Sequence, residues 1–345
     1  MRVLQAMAGA QFGGAETYFV ELVTALNRAG LDQKVVIRGI PARPQGLRRA
    51  GIEPAQIRFG GIIDCLSGPR LRRIIASYKP DIVQSWMHRA TRFVSRPPEA
   101  ADFVHVGWFG GYYQIDDYRA CDHLVGVTAD IRDHQVRQGW PQERAHYIPT
   151  FAHTETVAPV PREGLGTPQD APLFLALGRL HESKALDVLI RATAQVPGAH
   201  VWIAGEGPLR RTLARLIAGL GLEARVKLLG WREDRQALLA AADYCVLPSR
   251  FEPFGTVMIE AWAQNVPLIA AAADGPRGLI EDGRNGLLVA IDDTEGLARA
   301  MKRLAREPRL CARLVAEARI GFDAAYTQAA VVKRVLDFYR ALVGS

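Results

Sequence analysis

The sequence predicts an α/β protein built as two Rossmann-like, doubly wound parallel-sheet domains. Three observations point there. Short apolar runs alternate with stretches of helical periodicity along the chain, the pattern of parallel strands covered by helices on both faces. The 345 residues, 49% of them hydrophobic, suffice for two cores in domains of about 150 residues each. A segment rich in proline and glycine, 156–168, lies between the halves and reads as a linker.

In the first half, short strands are expected at 2–7, 34–37, 56–59, 82–85, 103–106, 123–127 and 146–148, separated by helical or loop segments. Gly13 and Gly14 follow the first strand after a short loop and precede a helix that carries Glu16 and Glu21. Paired glycines let backbone amides approach a phosphate closely. The second half is clearer: strands at 173–177, 201–204, 226–229, 244–247 and 268–271 alternate with helices at 185–194, 209–219, 235–242 and 256–264. A last helix, 328–342, has an apolar stripe of Val331, Val332, Val335, Leu336 and Tyr339.

Residues 249–262 carry the most chemistry. The apolar run Tyr244-Cys245-Val246-Leu247 ends at Pro248-Ser249, and helical periodicity resumes with Val257, Ile259, Ala261 and Trp262. Glu252 therefore falls in a loop, while Gly255 and Thr256 open the helix. The first amides of that helix lack carbonyl partners and form a positive end suited to phosphate or hydroxyl oxygens. Glu260 lies about 7 Å further along the axis at roughly 1.5 Å per residue. Two carboxylates so placed suit a nucleotide-sugar: Glu252 accepts hydrogen bonds from the sugar, Glu260 from ribose hydroxyls, and the diphosphate lies between. Gly178 and Arg179 directly follow strand 173–177, where open parallel sheets collect ligands. The Arg179 fork and the Lys184 ammonium can both hold diphosphate oxygens.

Composition narrows the partners. No run of about 18 apolar residues marks a membrane span, and Met1 to Met7 leads straight into a strand, so a cytoplasmic protein is expected. Cys65, Cys121, Cys245 and Cys311 are too scattered for a metal site or a disulfide framework. The net charge of +7 is unevenly placed: from Arg38 to Arg96 twelve Lys or Arg stand against Glu53, Asp64 and Asp81, and the rest of the chain is slightly acidic. The basic residues are not interleaved with aromatic platforms, which argues against nucleic acid. Arg70, Arg72 and Arg73 beside Leu71, Ile74 and Ile75 form a basic amphipathic pattern that fits an anionic membrane surface or glycolipid, as well as a solvated helix face.

The frame Phe251-Glu252-Pro253-Phe254-Gly255 with Glu260-Ala261 resembles the retaining GT-B glycosyltransferases of glycosyltransferase family 4. The resemblance extends in order through Gly13-Gly14-Ala15-Glu16, Gly178-Arg179-Leu180 with Lys184, Gly205-Glu206-Gly207-Pro208, Leu229-Gly230 and Asn285-Gly286-Leu287-Leu288-Val289. It implies two domains facing a central cleft, 1–160 for the acceptor and 171–327 for a nucleotide-sugar donor, with helix 328–345 packing back on the first. It also implies catalytic roles for Glu252, Arg179 and Lys184, and donor contacts from Glu260, Gly13, Gly14, Gly205, Trp231, Arg232, Phe254, Gly255 and Thr256. No metal or other cofactor is expected, because no Asp-x-Asp stands in a suitable loop.

Several positions depart from the family pattern. A histidine common near the sugar is replaced within Gly107-Trp108-Phe109-Gly110-Gly111-Tyr112-Tyr113, leaving Trp108, His105, His88 and Glu16 as candidates on the acceptor side. Ala185 stands where glycine is common, and Gly278 where a glutamate is common. Ile148-Pro149-Thr150-Phe151 is a variant associated with transferases of lipopolysaccharide and related envelope glycans. The expectation is a retaining, metal-independent transfer of a sugar from a nucleotide donor to a hydroxyl of an anionic glycan or glycolipid, at the inner face of the cytoplasmic membrane. Two other readings are a catalytically silent nucleotide-sugar-binding subunit, and a GT-B epimerase or phosphorylase.

Overall fold

The computed structural model describes residues 1–9, 13–39, 42–60, 64–96 and 102–344. They divide into two compact units: Met1–Thr150 together with the chain from Gln328 onward, and Phe151–Thr327.

Unit 1 begins with β1 (Arg2–Met7), α1 (Gly14–Arg28), β2 (Asp32–Arg38), α2 (Ala42–Arg49), β3 (Ala55–Ile57) and α3 (Ser67–Tyr78). It continues with β4 (Ile82–Trp86), α4 (Met87–Thr91), β5 (Val104–Phe109), β6 (His123–Gly126), α5 (Ala129–Arg137) and β7 (Ala145–Tyr147). All seven strands pair in parallel in the order β3-β2-β1-β4-β5-β6-β7. The winding reverses between β1 and β4, so the loops leaving those two strands border the crevice where such sheets bind ligands. Helix α3 turns Leu71 and Ile75 into a core with Leu4, Val36 and Val83, leaving Arg70, Arg72 and Arg73 outside.

Strand β5 runs three residues past the expected end at 106, through Gly107, Trp108 and Phe109. Both of its faces are covered, as is usual in parallel sheets, so the alternating side chains are buried whichever way they point.

Unit 2 comprises β8 (Leu173–Leu177), α6 (Leu186–Ala194), β9 (His200–Ala204), α7 (Arg210–Gly219), β10 (Val226–Gly230), α8 (Arg235–Ala241) and β11 (Tyr244–Leu247). Then come α9 (Thr256–Ala263), β12 (Leu268–Ala271), α10 (Asp274–Leu279), β13 (Leu287–Val289), α11 (Thr294–Arg306) and α12 (Pro308–Ala325). The parallel order is β10-β9-β8-β11-β12-β13, reversing between β8 and β11. Asp293 caps α11 by accepting from the Gly296 amide at 2.7 Å, and Leu297, Met301 and Leu304 recur at helical spacing on its buried face.

The segment 156–168 lies with unit 2 rather than forming a bare linker. Arg162 is 8% exposed and bonds the Ala241 carbonyl at 2.7 and 2.9 Å, those of Gln169 and Ala171 at 3.0 and 3.2 Å, and Asp243 at 2.7 Å. Thr167 accepts from Trp202 Nε1 at 2.9 Å. A guanidinium spends its five donors here as a staple.

The last helix, α13 (Gln328–Val343), completes unit 1. Its buried Tyr339 hydroxyl donates to Gln84 Oε1 at 2.6 Å and accepts from Gln5 Nε2 at 3.1 Å, while Gln5 Oε1 accepts from Trp86 Nε1 at 3.0 Å.

Candidate active site

In unit 2, the turns that follow β8, β9 and β10 touch through their backbones. Gly178 N donates to Ala204 O at 3.0 Å, Leu180 N to Glu206 O at 3.0 Å, and Gly205 N to Gly230 O at 2.7 Å. A β-carbon on Gly205 would lie 1.9 Å from the Gly178 carbonyl oxygen, and one on Gly207 2.4 Å from that of Leu180. Gly205 is therefore a packing glycine that lets two loops meet.

Lys184 ends a short turn in which His181 accepts from the Ser183 amide at 3.2 Å. The lysine stem crosses Gly178, and Nζ donates to Glu252 Oε2 at 2.5 Å. Ser249 Oγ approaches the same carboxylate oxygen at 3.3 Å. The Glu252 carbonyl accepts from Gly275 N at 2.8 Å, and no β-carbon fits on Gly275, because it would stand 2.7 Å from that oxygen and 2.6 Å from Phe254 O. Arg179, on the loop after β8, is exposed and makes no ion pair among the described residues. A carboxylate and two cations thus stand on the loops that leave β8 and β11, where the sheet order reverses.

Gly255 caps α9 at φ 83°, the left-handed region that favours glycine, and Thr256 is the first helical residue. The ring of Phe254 is buried, so it offers a ligand only backbone. Glu260 Oε1 accepts from Arg235 Nη1 at 2.6 Å, while the buried Oε2 has no hydrogen-bond partner among the described residues. Burial raises the Glu260 pKa against the opposing charge of Arg235. Trp231 is 49% exposed at the end of β10, and Arg232 forks onto Asp234 at 2.7 and 2.5 Å.

Unit 1 holds the remaining candidates. The Glu16 carboxylate folds back over the start of α1: a β-carbon on Gly13 would lie 2.1 Å from its Oε2, and one on Gly9 2.6 Å from its Oε1. Gly13 thus makes room for Glu16, and a phosphate there would meet like charge; the space over Gly14 is open. His88 stands half-buried just past β4, its ring 5.9 Å from that of Tyr113.

Two acceptor-side candidates are core residues. His105 is 1% exposed; its Nε2 bonds Ser85 Oγ at 2.9 Å and its Nδ1 the Ala120 carbonyl at 3.2 Å, and burial pushes its pKa down to about 4. Trp108 stacks on Trp86 with centroids 4.7 Å apart inside the same sheet. Both faces of β5 are covered, so His105 and Trp108 are buried alike, and only Trp108 lies beyond the expected strand end at 106.

Residues 12–156 match the Glycosyltransferase Family 4 family and residues 171–307 match Glycosyl transferases group 1. The lipopolysaccharide core biosynthesis glycosyltransferase LpsE of Rhizobium meliloti (strain 1021) is 35% identical over 308 residues, 88% of either chain. The chain belongs to glycosyltransferase family 4. LpsD of the same organism, also a lipopolysaccharide core biosynthesis glycosyltransferase, is 32% identical over 98% of both chains. Among solved structures, Anabaena Alr3699/HepE in complex with UDP and glucose superposes with a TM-score of 0.84 at 20% identity, covering 99% of this chain and 100% of that one. The apo lipopolysaccharide outer core galactosyltransferase WaaB gives 0.76 at 19% identity, covering 100% and 99%. This family 4 glycosyltransferase therefore has the expected GT-B class of fold, two Rossmann-like parallel-sheet domains.

Three residues around Glu252 and Glu260 escape a reading of spacing alone. Ser249 and Gly275 flank Glu252 only in the folded loop, and Arg235 meets Glu260 from another helix.

Proposed function

We propose that the protein is a retaining, metal-independent glycosyltransferase that moves a sugar from a nucleoside-diphosphate donor to a hydroxyl of a lipopolysaccharide core or related envelope glycan. The Lys184–Glu252 pair beside the unpaired Arg179 carries this reading. Two cations at a strand crevice, Lys184 held by Glu252 and the exposed Arg179, can take up the charge of a departing diphosphate, the service a divalent ion gives elsewhere. The sugar's anomeric bond to phosphate oxygen breaks as its bond to the acceptor oxygen forms on the same face, and the acceptor proton passes to the departing phosphate. Glu252, held by Lys184, positions sugar hydroxyls. The orphaned Oε2 of Glu260 suits a ribose hydroxyl, since leaving a buried acceptor unpaired costs about 1–3 kcal/mol.

The envelope acceptor follows the two Rhizobium relatives, and UDP in Alr3699/HepE puts uridine first among the bases to try. Membrane contact has support from α3, where the exposed Arg70 and Arg73 stand near Leu66, itself 54% exposed. Within the basic stretch, 40–41 and 61–63 lie outside the described residues, as does the Arg43 side chain. No described helix is long and apolar enough to cross a membrane; the reading is a protein at the inner face of the cytoplasmic membrane.

The test is thermal stabilisation by a panel of nucleoside diphosphates and nucleotide-sugars with and without magnesium, followed by acceptor-dependent release of the diphosphate. A magnesium-independent rise in Tm for one base, with release only when acceptor is present, is the expected result. A rise without release indicates a silent binding subunit, and no rise with any nucleotide rejects the donor site.

A further inference from the structure

We propose that Tyr113 is a specificity-determining residue of the acceptor site in unit 1, its phenol donating a hydrogen bond to a hydroxyl of the acceptor glycan. This rests on the glycosyl-transfer reading above. Residues 110–114 leave the end of β5 in a glycine-bearing loop that is fastened to one face of α5. The Tyr112 hydroxyl donates to Asp130 Oδ2 at 2.5 Å, His134 Nε2 and Gln138 Nε2 meet the Tyr113 carbonyl at 3.2 and 3.0 Å, and Gln138 Oε1 accepts from Ile115 N at 3.1 Å. Asp130, His134 and Gln138 recur every four residues, one stripe of a helix, so the loop is held at three successive turns.

The fastening fixes where Tyr113 points. Its ring packs between Phe109 at 5.7 Å, His88 at 5.9 Å and Tyr118 at 6.4 Å, the last nearly parallel. These neighbours pack around the ring of a half-buried residue, and the phenol makes no hydrogen bond among the described residues. Burial first, and then the charge of Glu16, raise its pKa, so the oxygen keeps its proton and is available as a donor. The Glu16 influence and the approach of Gly110 to Ala15 place the loop at the start of α1.

A carboxylate, an imidazole and a phenol thus border the crevice where β1 and β4 diverge. Such groups distinguish sugar hydroxyls by position, because a site built to bond a hydroxyl rejects an analogue without it far better than an apolar pocket does. Trp108 and Phe109, in the segment where a family histidine is common, are buried in the sheet, so His88 and Tyr113 hold the polar edge there.

The experiment uses lipopolysaccharide extracted from a strain deleted for this gene as acceptor, and the nucleotide-sugar that the wild type turns over as donor. Tyr113→Phe keeps the ring and removes the hydroxyl. It should raise the KM for that lipopolysaccharide about 3- to 10-fold, the worth of one neutral hydrogen bond, with donor KM, acceptor-free donor hydrolysis and Tm unchanged. An unchanged acceptor KM in an active variant overturns the inference alone, and so does a loss shared by donor KM and Tm, which marks a packing role. A wild type that transfers nothing and gains no Tm from any nucleotide overturns the transfer reading and this inference with it.

Discussion

Lys184 Nζ sits 2.5 Å from Glu252 Oε2, joining residues 68 positions apart across the strand pair β8 and β11. Both groups are largely withdrawn from water, with side chains 25% and 10% exposed, so removing either partner strands a charge. Lys184→Ala and Glu252→Gln should each lower turnover by about 10²- to 10³-fold, the usual cost of losing one preorganised charge contact. The double variant should be little worse than either single one, because the pair acts as a unit. Diphosphate release with acceptor present is the measurement, and wild-type turnover in either single variant rejects the site.

Ala185 occupies the left-handed region at φ 47°, ψ 36°, where the family commonly has glycine. Alanine pays about 1–2 kcal/mol for that conformation. Glycine would escape it, but would give up a buried methyl worth about 0.8 kcal/mol and about 0.5–1 kcal/mol of backbone entropy. The terms nearly cancel, so Ala185→Gly should leave Tm within about 2 °C of wild type. Ala185→Val, β-branched in the same conformation, should lower Tm by more than about 4 °C and reduce turnover through the adjacent Lys184. Calorimetry on both variants decides it; a stable Val variant would show that the conformation is not needed.

Gly275 faces two carbonyl oxygens that cannot give way like a side chain. A β-carbon would stand 2.6 Å from Phe254 O and 2.7 Å from Glu252 O, so the glutamate loop must move. Gly275→Ala should keep the fold by circular dichroism and lose roughly 10²-fold in kcat, the effect of a misplacement of about 1 Å. Retained kcat would separate the position of this loop from catalysis.

Buried parallel strands announced themselves as apolar runs, and β8, β11 and β12 lie where those runs are. The Glu252 loop was legible for the same reason, because strand end, turn and helix start follow one another within a few residues. Trp108 was misplaced because the sequence does not mark where β5 stops, and three more residues of strand take it inside, whereas His105 already lay within the expected strand 103–106. The segment 156–168 carries the proline and glycine of a linker, but Arg162 finds the Ala241 carbonyl and Asp243, partners about 80 residues away that no local pattern encodes. Tyr113 needed α5 to distinguish it from its neighbours.

His123 Nδ1 and His146 Nε2 lie 3.0 Å apart on β6 and β7, and the His146 ring packs on Phe338 of α13 at 4.7 Å. Burial pushes His146 down to about 4 and lowers His123 as well, with Arg144 opposing protonation of His123 and Asp122 favouring it. Unfolded imidazoles take up protons near pH 6.5, so between there and about 4 the unfolded chain binds more of them. The neutral pair contributes its full stability above that window and loses it as pH falls. Urea midpoints measured from pH 7.5 to 4.5 should decline in the wild type and decline less in His146→Gln. Parallel slopes in the two proteins would assign the acid sensitivity elsewhere.

The bonds of Tyr339 to Gln5 and Gln84 bear on how the chain is made. The ribosome releases β1 and β4 well before α13, yet the buried amides on those strands find this partner only when that helix emerges. Residues 151–327 form an uninterrupted unit and leave the exit tunnel whole before then. Translation therefore completes the unit that starts second before the one that starts first, whose strands β1 and β4 wait for α13.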